Sequence, residues 1–419
     1  MRKPNIVIIV LDTLREDHAQ GLDRLLDYGF VKYQNAIAPA PWTLPSHVSM
    51  LTGLYPSEHG IHETKEVRGL KLASFSRLRM ASLRDYNILQ KVKEEGYTTY
   101  LISANFAIIH PALGFEADIN IVIDPIRNIA YTDDVNEIDK EFEKLGSHLK
   151  FVIHNIRNSK KLWNGARLFV SRRLNLLPKY LSEYFVREKG GKLALNFVEK
   201  INFIPPFFLF INLMESHDPF TSLRTSEKLR CVGLKWALTG KLNPYDVKLW
   251  RKYHIHAGRA ITRAIQIVET LGQRNMLDDT LVIVTADHGE LIGDGGVWHM
   301  NSLKDGNIKV PLYVKYPNTW KKKPQKHQYI SLTEIPKIID KDANALGSQL
   351  IIAETFGIHD PDYLFDRCGL PRPSYDSFHH KIRIIGHNAD LVFNKTLEKV
   401  EYAQGEKIQD IIAHLKLHK

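Results

Sequence analysis

The sequence predicts an α/β fold: a doubly wound, mostly parallel sheet flanked by helices, followed by a smaller C-terminal α+β subdomain. Three largely apolar runs, at residues 6–11, 207–214 and 280–286, are typical of strands buried on both faces of a parallel sheet. Helical segments alternate with these runs, as in βα units. Polar residues follow each run, and open α/β sheets bind their ligands at that edge.

The elements alternate along the chain in this way. A strand is predicted at 5–11 and another at 97–103, after a helix at 87–94 that Gly96 ends. Residues 35–41 are interpreted as the approach to a helix that begins near Thr43. The other predicted elements are helices at 22–28, 192–200, 244–271 and 407–417 and C-terminal strands at 382–385, 391–393 and 399–402.

The composition shifts after Pro317, where a basic loop begins. We therefore place the large α/β domain at 1–325 and the C-terminal subdomain at 326–419. Within the large domain, residues 131–190 are polar and basic and match no motif, so we interpret them as a helical insertion or lid.

The charge is concentrated in one segment. The chain of 419 residues has a net charge of +10, and between residues 150 and 192 eleven Lys and Arg residues oppose two Glu residues. Such a segment can contact a membrane surface, a polyanion or an acidic substrate, or it can be a solvated helical face. No motif indicates specific recognition of nucleic acid.

Two further features suggest a compartment. Cys231 and Cys368 form no disulfide framework or metal-site spacing, which fits a reducing compartment while leaving one disulfide open. The apolar run at 6–11 is too short to span a membrane and lacks a signal-peptide cleavage site. We therefore expect a cytoplasmic protein. The sequence does not indicate an oligomeric state.

The stretch at 41–53 organises the rest of the chain. Pro45 suits the first turn of a helix, which places Thr43 at or just before the helix N-terminus. A hydroxyl there faces unpaired N–H groups and the positive end of the helix dipole, where anions bind. Thr43 is interpreted either as an ordinary N-cap or as a nucleophile toward an anionic group.

Metal-ligand candidates follow two of the predicted strands. Asp12 comes directly after the first strand, and Asp287 and His288 come directly after the strand at 280–286. A carboxylate beside an imidazole at a strand end can chelate a cation. His217 follows the apolar run at 207–214 and is our candidate for a general acid.

These motifs resemble the sulfatase family of the alkaline phosphatase superfamily. The stretch from Thr43 to Gly53 is similar to the family signature, in which a nucleophile is followed by Pro-Ser, a basic residue and Leu-Thr-Gly. In sulfatases the nucleophile position holds Cys or Ser, which is oxidised to formylglycine. Thr43 cannot form that aldehyde, so no formylglycine is expected. Related phosphodiesterases, phosphonate hydrolases and phosphotransferases use an unmodified Thr.

The resemblance also implies roles for further residues. It implies an alkaline phosphatase-like fold and a divalent cation (Ca, Mn or Zn) held by Asp12, Thr43, Asp287 and His288. It implies that His217 acts on the leaving-group side of the ester. The residues expected to contact the anion are His47, Asn105 and His299.

The function expected from these residues is metal-dependent hydrolysis of sulfuric or phosphoric esters, with Thr43 as nucleophile. Because formylglycine is excluded, phosphate or phosphonate esters are favoured over sulfate esters. The expected substrate is a small anionic ester, either free or attached to a glycan or lipid. Two alternatives stay open: a phosphotransferase acting on a glycan or lipid acceptor, and a catalytically inactive relative that binds anions.

Overall fold

A computed structural model describes most of the chain. The described residues are 3–64, 66–67, 70–125, 129–132, 189–220, 223–320, 329–340, 347–357, 362–372, 379–406, 408–409 and 411–412. Nearly all of the predicted insertion at 131–190, and most of the predicted helix at 407–417, therefore lie outside the described residues.

The described part of the chain contains both strands and helices throughout its length. Its strands, in chain order, are β1 Asn5–Leu11, β2 Val31–Ile37, β3 Thr98–Ser103, β4 Ile119–Asp124, β5 Ile129–Tyr131, β6 Phe207–Leu213, β7 Thr280–Thr285, β8 Leu291–Ile292, β9 Val297–Trp298, β10 Lys309–Lys315, β11 Ile330–Ser331, β12 Leu350–Thr355, β13 Lys381–Gly386, β14 Ala389–Asn394 and β15 Lys399–Gln404. Its α-helices are α1 Thr43–Thr52, α2 Pro56–His59, α3 Leu70–Ser82, α4 Ile88–Glu94, α5 Gly191–Lys200, α6 Leu223–Thr239, α7 Pro244–Val247, α8 Tyr253–Gln273, α9 Asp305–Ile308, α10 Ile335–Ile339 and α11 Asp362–Arg367.

One large mixed sheet carries the core and confirms the predicted fold class. Among the described residues its nine strands run in the order β11-β2-β10-β7-β1-β6-β3-β4-β5. β1 lies in parallel between β6 and β7, and Ile8 is in register with Phe210 on one side and Ile283 on the other. Every residue of β1, β6 and β7 is buried, because helices cover both faces of the sheet.

This topology brings the functional candidates together. β1, β3, β6 and β7 are parallel neighbours, so their carboxyl ends share one edge of the sheet. Asp12 follows β1, His217 lies four residues beyond β6, and Asp287 lies two residues beyond β7. The edge at which the sequence predicts ligand binding is therefore one compact place in the fold.

A second sheet lies in the C-terminal part of the chain. β12, β13, β14 and β15 form it in that order, and all three pairings are antiparallel. This confirms the smaller α+β part. The division at residue 326 stays a prediction; β11, which lies beyond it, pairs with β2 in the large sheet.

One strand was not predicted, and two predicted helices need correction. Residues 31–37 form β2, which the sequence analysis missed because its side chains alternate irregularly between buried and exposed. The predicted helix at 244–271 is interrupted: a 3₁₀ turn at Lys248–Trp250 separates α7 from α8, and it buries the Trp250 indole against Glu290. The predicted helix at 22–28 is a 3₁₀ helix, Gln20–Tyr28.

The two cysteines are bonded to each other. Cys231 in α6 and Cys368, just after α11, form a disulfide with their Cα atoms 5.3 Å apart. This bond does not fit the expectation of a reducing compartment, since disulfides persist mainly in oxidising ones. No helix in the described part of the chain is long and apolar enough to cross a membrane.

The disulfide is expected to stabilise the fold, because it closes a loop with a sequence separation of 137 residues. The chain-entropy model gives an upper value of about 5 kcal/mol for such a loop. We predict that Cys231→Ser combined with Cys368→Ser lowers the melting temperature by several degrees in a thermal scan. Reductant should lower the melting temperature of the wild type and leave that of the double variant unchanged. Two free thiols in the unreduced wild type would contradict the prediction.

Candidate active site

Thr43 is the first residue of α1, with its hydroxyl turned toward His288. The helix is capped by the extended backbone of Trp42, without a side-chain cap bond. Thr43 is 5% exposed, and its Oγ1 lies 3.3 Å from His288 Nε2. Thr43 is therefore not the N-cap, and its hydroxyl lies in the buried centre at the positive end of the helix dipole.

Asp12, Asp287 and His288 form a buried group of metal-ligand type. One ligand atom from each lies within 4.8 Å of the other two, and all three residues are fully buried. Asp12 Oδ1 and Asp287 Oδ2 are buried without a hydrogen-bond partner. Two unpartnered carboxylate oxygens beside an imidazole fit a divalent cation, since buried anionic oxygens otherwise lack compensation.

His288 is oriented as a ligand. Its Nδ1 donates to the carbonyl oxygen of Gly289 at 2.8 Å, which leaves the Nε2 lone pair toward Asp12 and Asp287. Burial and the neighbouring His299 lower the pKa of His288 to about 3, so the ring is neutral near pH 7. Burial also raises the pKa of Asp287.

The backbone around the group is built to hold Asp287. Thr13 has a φ of 64°, a left-handed conformation that is unusual for a β-branched residue, and its N–H donates to Asp287 Oδ1 at 3.2 Å. The N–H of His288 donates to the same oxygen at 2.9 Å. Gly289 allows the next turn, because a Cβ there would lie 2.1 Å from the carbonyl oxygen of Gly306.

His47 and Asn105, predicted to contact the anion, lie behind the centre with protein partners. His47 Nδ1 donates to the Thr43 carbonyl at 2.9 Å, and its Nε2 accepts from Asn212 Nδ2 at 3.2 Å. Asn105 Nδ2 donates to Asp12 Oδ2 at 3.1 Å. Because these atoms are already engaged, the geometry favours orienting roles for both residues over the predicted substrate contacts.

His217 is paired with the residue that follows it. Its Nδ1 lies 2.7 Å from Asp218 Oδ1, while Ser216 Oγ donates to the Asp12 carbonyl at 2.6 Å and anchors the turn. Lys189 Nζ donates to the carbonyl oxygens of Glu215 and His217. Burial alone would lower the pKa of His217, but Asp218 outweighs it and raises this pKa to about 10.

His299 lies beside both other imidazoles. Its ring centroid is 4.8 Å from that of His288 and 5.2 Å from that of His217. Its Nδ1 donates to Glu290 Oε2 at 2.6 Å. Burial raises the pKa of Glu290 to about 8, and burial together with His217 lowers the pKa of His299 to about 3.

Comparisons with known proteins match two separate parts of the chain to family models. The sulfatase family model matches residues 265–340, and the model for type I phosphodiesterase / nucleotide pyrophosphatase matches residues 9–119. These two matches contain Asp12, Thr43, Asp287 and His288. Family models over two separate parts of the chain thus support the predicted resemblance to the sulfatase family of the alkaline phosphatase superfamily.

Two curated sulfatases illustrate the relationship. Choline-sulfatase of Rhizobium meliloti is 20% identical over 356 residues, which are 75% of this chain and 63% of that protein. Mouse arylsulfatase K is 24% identical over 242 residues, which are 47% of this chain and 43% of that protein. The chain thus spans less than two thirds of the length of either.

Solved structures share the fold over nearly the whole chain. Phosphonate monoester hydrolase from Silicibacter pomeroyi has a TM-score of 0.59 at 14% identity, covering 99% of this chain and 93% of that one. A phosphonate monoester hydrolase of Agrobacterium radiobacter has a TM-score of 0.57 at 13% identity, covering 98% and 90%. Sulfatase-family proteins generally use a divalent metal, and in this chain the Asp12, Asp287 and His288 group is the candidate site for it.

The structure also shows residues to which the sequence analysis gave no role. Asp218 pairs with Nδ1 of His217, Glu290 accepts from Nδ1 of His299, and Asn212 donates to Nε2 of His47. Asp218 and Glu290 adjoin recognised motif residues, which is the only signal that the sequence offered. No second group of three His, Cys, Asp or Glu donors occurs among the described residues. Glu215 Oε1, near His217, accepts from the Gly191 N–H at 2.7 Å.

A cavity of about 1030 Å³ lies between the large domain and the C-terminal sheet. Arg15, Trp236, Arg383 and Tyr402 contribute to its walls, whereas Thr43, His217 and His299 do not. Many of its charges are already paired, as Arg15 is with Asp294 and Arg383 with Asp390. We therefore assign the chemistry to the buried centre.

We predict that the site binds a divalent cation through Asp287. A cation at 100 times its dissociation constant should raise the free energy of unfolding by about 2.7 kcal/mol. Asp287→Asn should abolish most of this gain while keeping the oxygen that accepts from Thr13 and His288. The measurement is thermal unfolding with a chelator and with calcium, manganese or zinc.

The raised pKa of Asp287 also predicts how Asp287→Asn changes the stability of the protein when no cation is bound. A raised carboxyl pKa destabilises the metal-free protein as pH rises above the unfolded value of 3.8. In chelator at pH 7, Asp287→Asn should therefore be at least as stable as the wild type. Asp118→Asn, at the opposite edge of the sheet beside Thr99, is the control and should keep the response to the cation. An equal response in wild type and Asp287→Asn would refute the assignment.

Proposed function

We propose that the protein is a metal-dependent hydrolase of phosphate or phosphonate esters, with Thr43 as the nucleophile. The observation that carries the proposal is the position of Thr43 Oγ1, 3.3 Å from His288 Nε2 in the buried group that holds two unpartnered carboxylate oxygens. A hydroxyl at a helix N-terminus beside a cation site has the surroundings of an activated nucleophile.

A cation held by Asp12, Asp287, His288 and Thr43 would lower the pKa of the Thr43 hydroxyl and offset the charge of the transferred group. The donor set contains oxygens and one imidazole, so calcium, manganese and zinc are all candidates.

The residues of the chain divide the remaining work. Thr43 Oγ1 gives its proton to water and attacks phosphorus, so that an O–P bond forms while the bond from phosphorus to the alcohol oxygen breaks. The departing oxygen keeps the bonding electron pair and takes a proton from His217, which Asp218 keeps protonated near pH 7. Water then attacks phosphorus and gives one proton back to His217, while the bond to Oγ1 breaks and Oγ1 takes a proton from solvent, which frees Thr43. N–H groups in the first turn of α1 stabilise the charge on the phosphoryl oxygens.

Phosphoryl substrates are favoured over sulfate esters because of Thr43. Its side chain is a secondary alcohol, so oxidation cannot give the aldehyde of formylglycine. Phosphonate monoester hydrolases are among the solved structures with this fold, which supports the choice, while choline-sulfatase keeps the sulfate ester as the competing substrate. The organic part of the substrate, and any glycan, lipid or membrane contact through 150–192, remain proposals drawn from the sequence.

We predict that Thr43→Ala lowers kcat by roughly three orders of magnitude or more, because it removes the nucleophile. The measurement is turnover of p-nitrophenyl phosphate, bis-p-nitrophenyl phosphate and p-nitrophenyl sulfate with each metal. Thr52→Ala is a matched control at the other end of α1, where the hydroxyl donates to the Val48 carbonyl. Turnover of the sulfate ester alone would contradict the phosphoryl preference. Turnover only with an added alcohol acceptor would favour a transferase, and binding without turnover an inactive relative.

The role of His217 leads to a second kinetic prediction. His217→Gln should lower kcat by roughly a hundredfold to ten-thousandfold for phenyl phosphate, whose leaving group needs a proton. The loss should be much smaller for p-nitrophenyl phosphate, since that leaving group departs as a stable anion. Wild-type activity on phenyl phosphate should fall as pH rises through about 10, where His217 loses its proton. Equal losses on both substrates would exclude His217 as the general acid.

A further inference from the structure

Glu290 is a fully buried carboxylate whose two oxygens have separate partners. Oε1 accepts from the Trp250 indole N–H at 2.9 Å, and Oε2 accepts from His299 Nδ1 at 2.6 Å. Arg15 donates to the backbone carbonyl of Glu290 at 3.0 Å, which fixes the main chain as well. The carboxylate is therefore held at both ends, and the His299 ring is held by it.

The backbone around His299 is held in an unfavourable conformation. Trp298 has a φ of 73° and Met300 a φ of 90°, so non-glycine residues with left-handed backbone lie on both sides of His299. Neighbouring elements enforce this conformation: the Met300 N–H donates to the Pro41 carbonyl at 3.0 Å, and Thr355 Oγ1 donates to the Met300 carbonyl at 2.8 Å. Strain of this kind persists where surrounding structure overdetermines it, often at functional sites.

The constraint gives the His299 ring a defined direction. With Nδ1 tied to Glu290, the other ring nitrogen, Nε2, is left for the centre that contains His288 and His217. His217 is held in the same manner, by Asp218 at Nδ1. Two imidazoles, each fixed by a carboxylate, thus lie with ring centroids 5.2 Å apart beside the candidate metal group.

We infer that Glu290 is a positioning residue for catalysis, which fixes His299 so that Nε2 contacts an oxygen of the group transferred to Thr43, while His217 serves the leaving group. The inference rests on the proposed function, because it assigns to each imidazole a contact in the proposed reaction: the transferred group for His299 and the leaving group for His217. The contribution of the Glu290–His299 pair to kcat should therefore be the same for esters with good and with poor leaving groups.

The alternative is that Glu290 only stabilises the fold. The chain offers a matched control for it, since Glu354 is also a buried carboxylate that pairs with an imidazole, at 3.2 Å from His380 Nε2. That pair joins β12 to the start of β13, in the C-terminal sheet, and has no place in the proposed mechanism. Glu290→Gln and Glu354→Gln make the same carboxyl-to-amide change in the same kind of pair.

The test combines kinetics with a spectroscopic signature. Turnover of p-nitrophenyl phosphate and phenyl phosphate is measured for the wild type, Glu290→Gln, Glu354→Gln, His299→Gln and His299→Asn. We expect Glu290→Gln to lower kcat roughly tenfold to a hundredfold, equally on both esters and with little change in KM. His299→Gln, whose amide reaches the position of Nε2, should retain more activity than His299→Asn.

Proton NMR of the histidine ¹⁵N-labelled protein gives a readout that does not require activity. The proton shared by Glu290 and His299 Nδ1 should give a strongly deshielded signal that Glu290→Gln shifts or removes and Glu354→Gln leaves in place. An unchanged signal in Glu290→Gln would overturn the inference, as would a kcat equal to that of Glu354→Gln. If the wild type turns over none of the esters, the proposed function fails, and the role assigned to Glu290 in it fails as well. If the NMR signal is nevertheless present in that case, Glu290 orients His299 without a role in the hydrolysis of these esters.

Discussion

The structure of the site depends on two carboxylates, Asp12 and Asp287, that are buried close together without full hydrogen-bond compensation. Each keeps one oxygen free of partners while its other oxygen accepts N–H bonds, from Asn105 for Asp12 and from Thr13 and His288 for Asp287. Burying such a pair is costly unless a positive charge joins it. The strained φ of Thr13 and the close approach at Gly289 are best understood as the geometry that holds this arrangement in place.

The sheet makes that arrangement possible. β1 and β7 are adjacent and parallel, so residues that are 275 positions apart in the sequence, Asp12 and Asp287, emerge at one edge. β6 on the other side of β1 brings the turn that carries His217 to the same edge. Because these three strands are buried on both faces, the edge is rigid, and side chains there can be held within tenths of an ångström by short hydrogen bonds to the next turn.

Part of this could be read from the sequence and part could not. The apolar runs predicted β1, β6 and β7 to within a residue. Asp12, Asp287 and His288 could be selected as candidates because they follow these strands, and the carboxyl ends of parallel strands meet at the edge of the sheet where ligands bind. The protein partners of His47 and Asn105 were not predicted, since a motif shows that a residue belongs to a site without showing which atom faces it. The Cys231–Cys368 bond and the pairing of Glu290 with His299 depend on tertiary proximity, which spacing along the chain does not reveal.

The same distinction bears on the chemistry. The proposed mechanism uses Thr43 without formylglycine, and the surrounding buried groups are those that would activate the nucleophile and stabilise a transferred anion. Without the aldehyde, more of the catalysis falls to the fixed groups around the reacting centre, because a threonine hydroxyl is a weak nucleophile until its surroundings activate it. Two imidazoles locked by Asp218 and Glu290, in place of flexible side chains, provide that surrounding without reorganisation during the reaction. In the proposed mechanism, the Thr43 hydroxyl at the helix N-terminus therefore acts among polar groups that hydrogen bonds and ion pairs already hold in place.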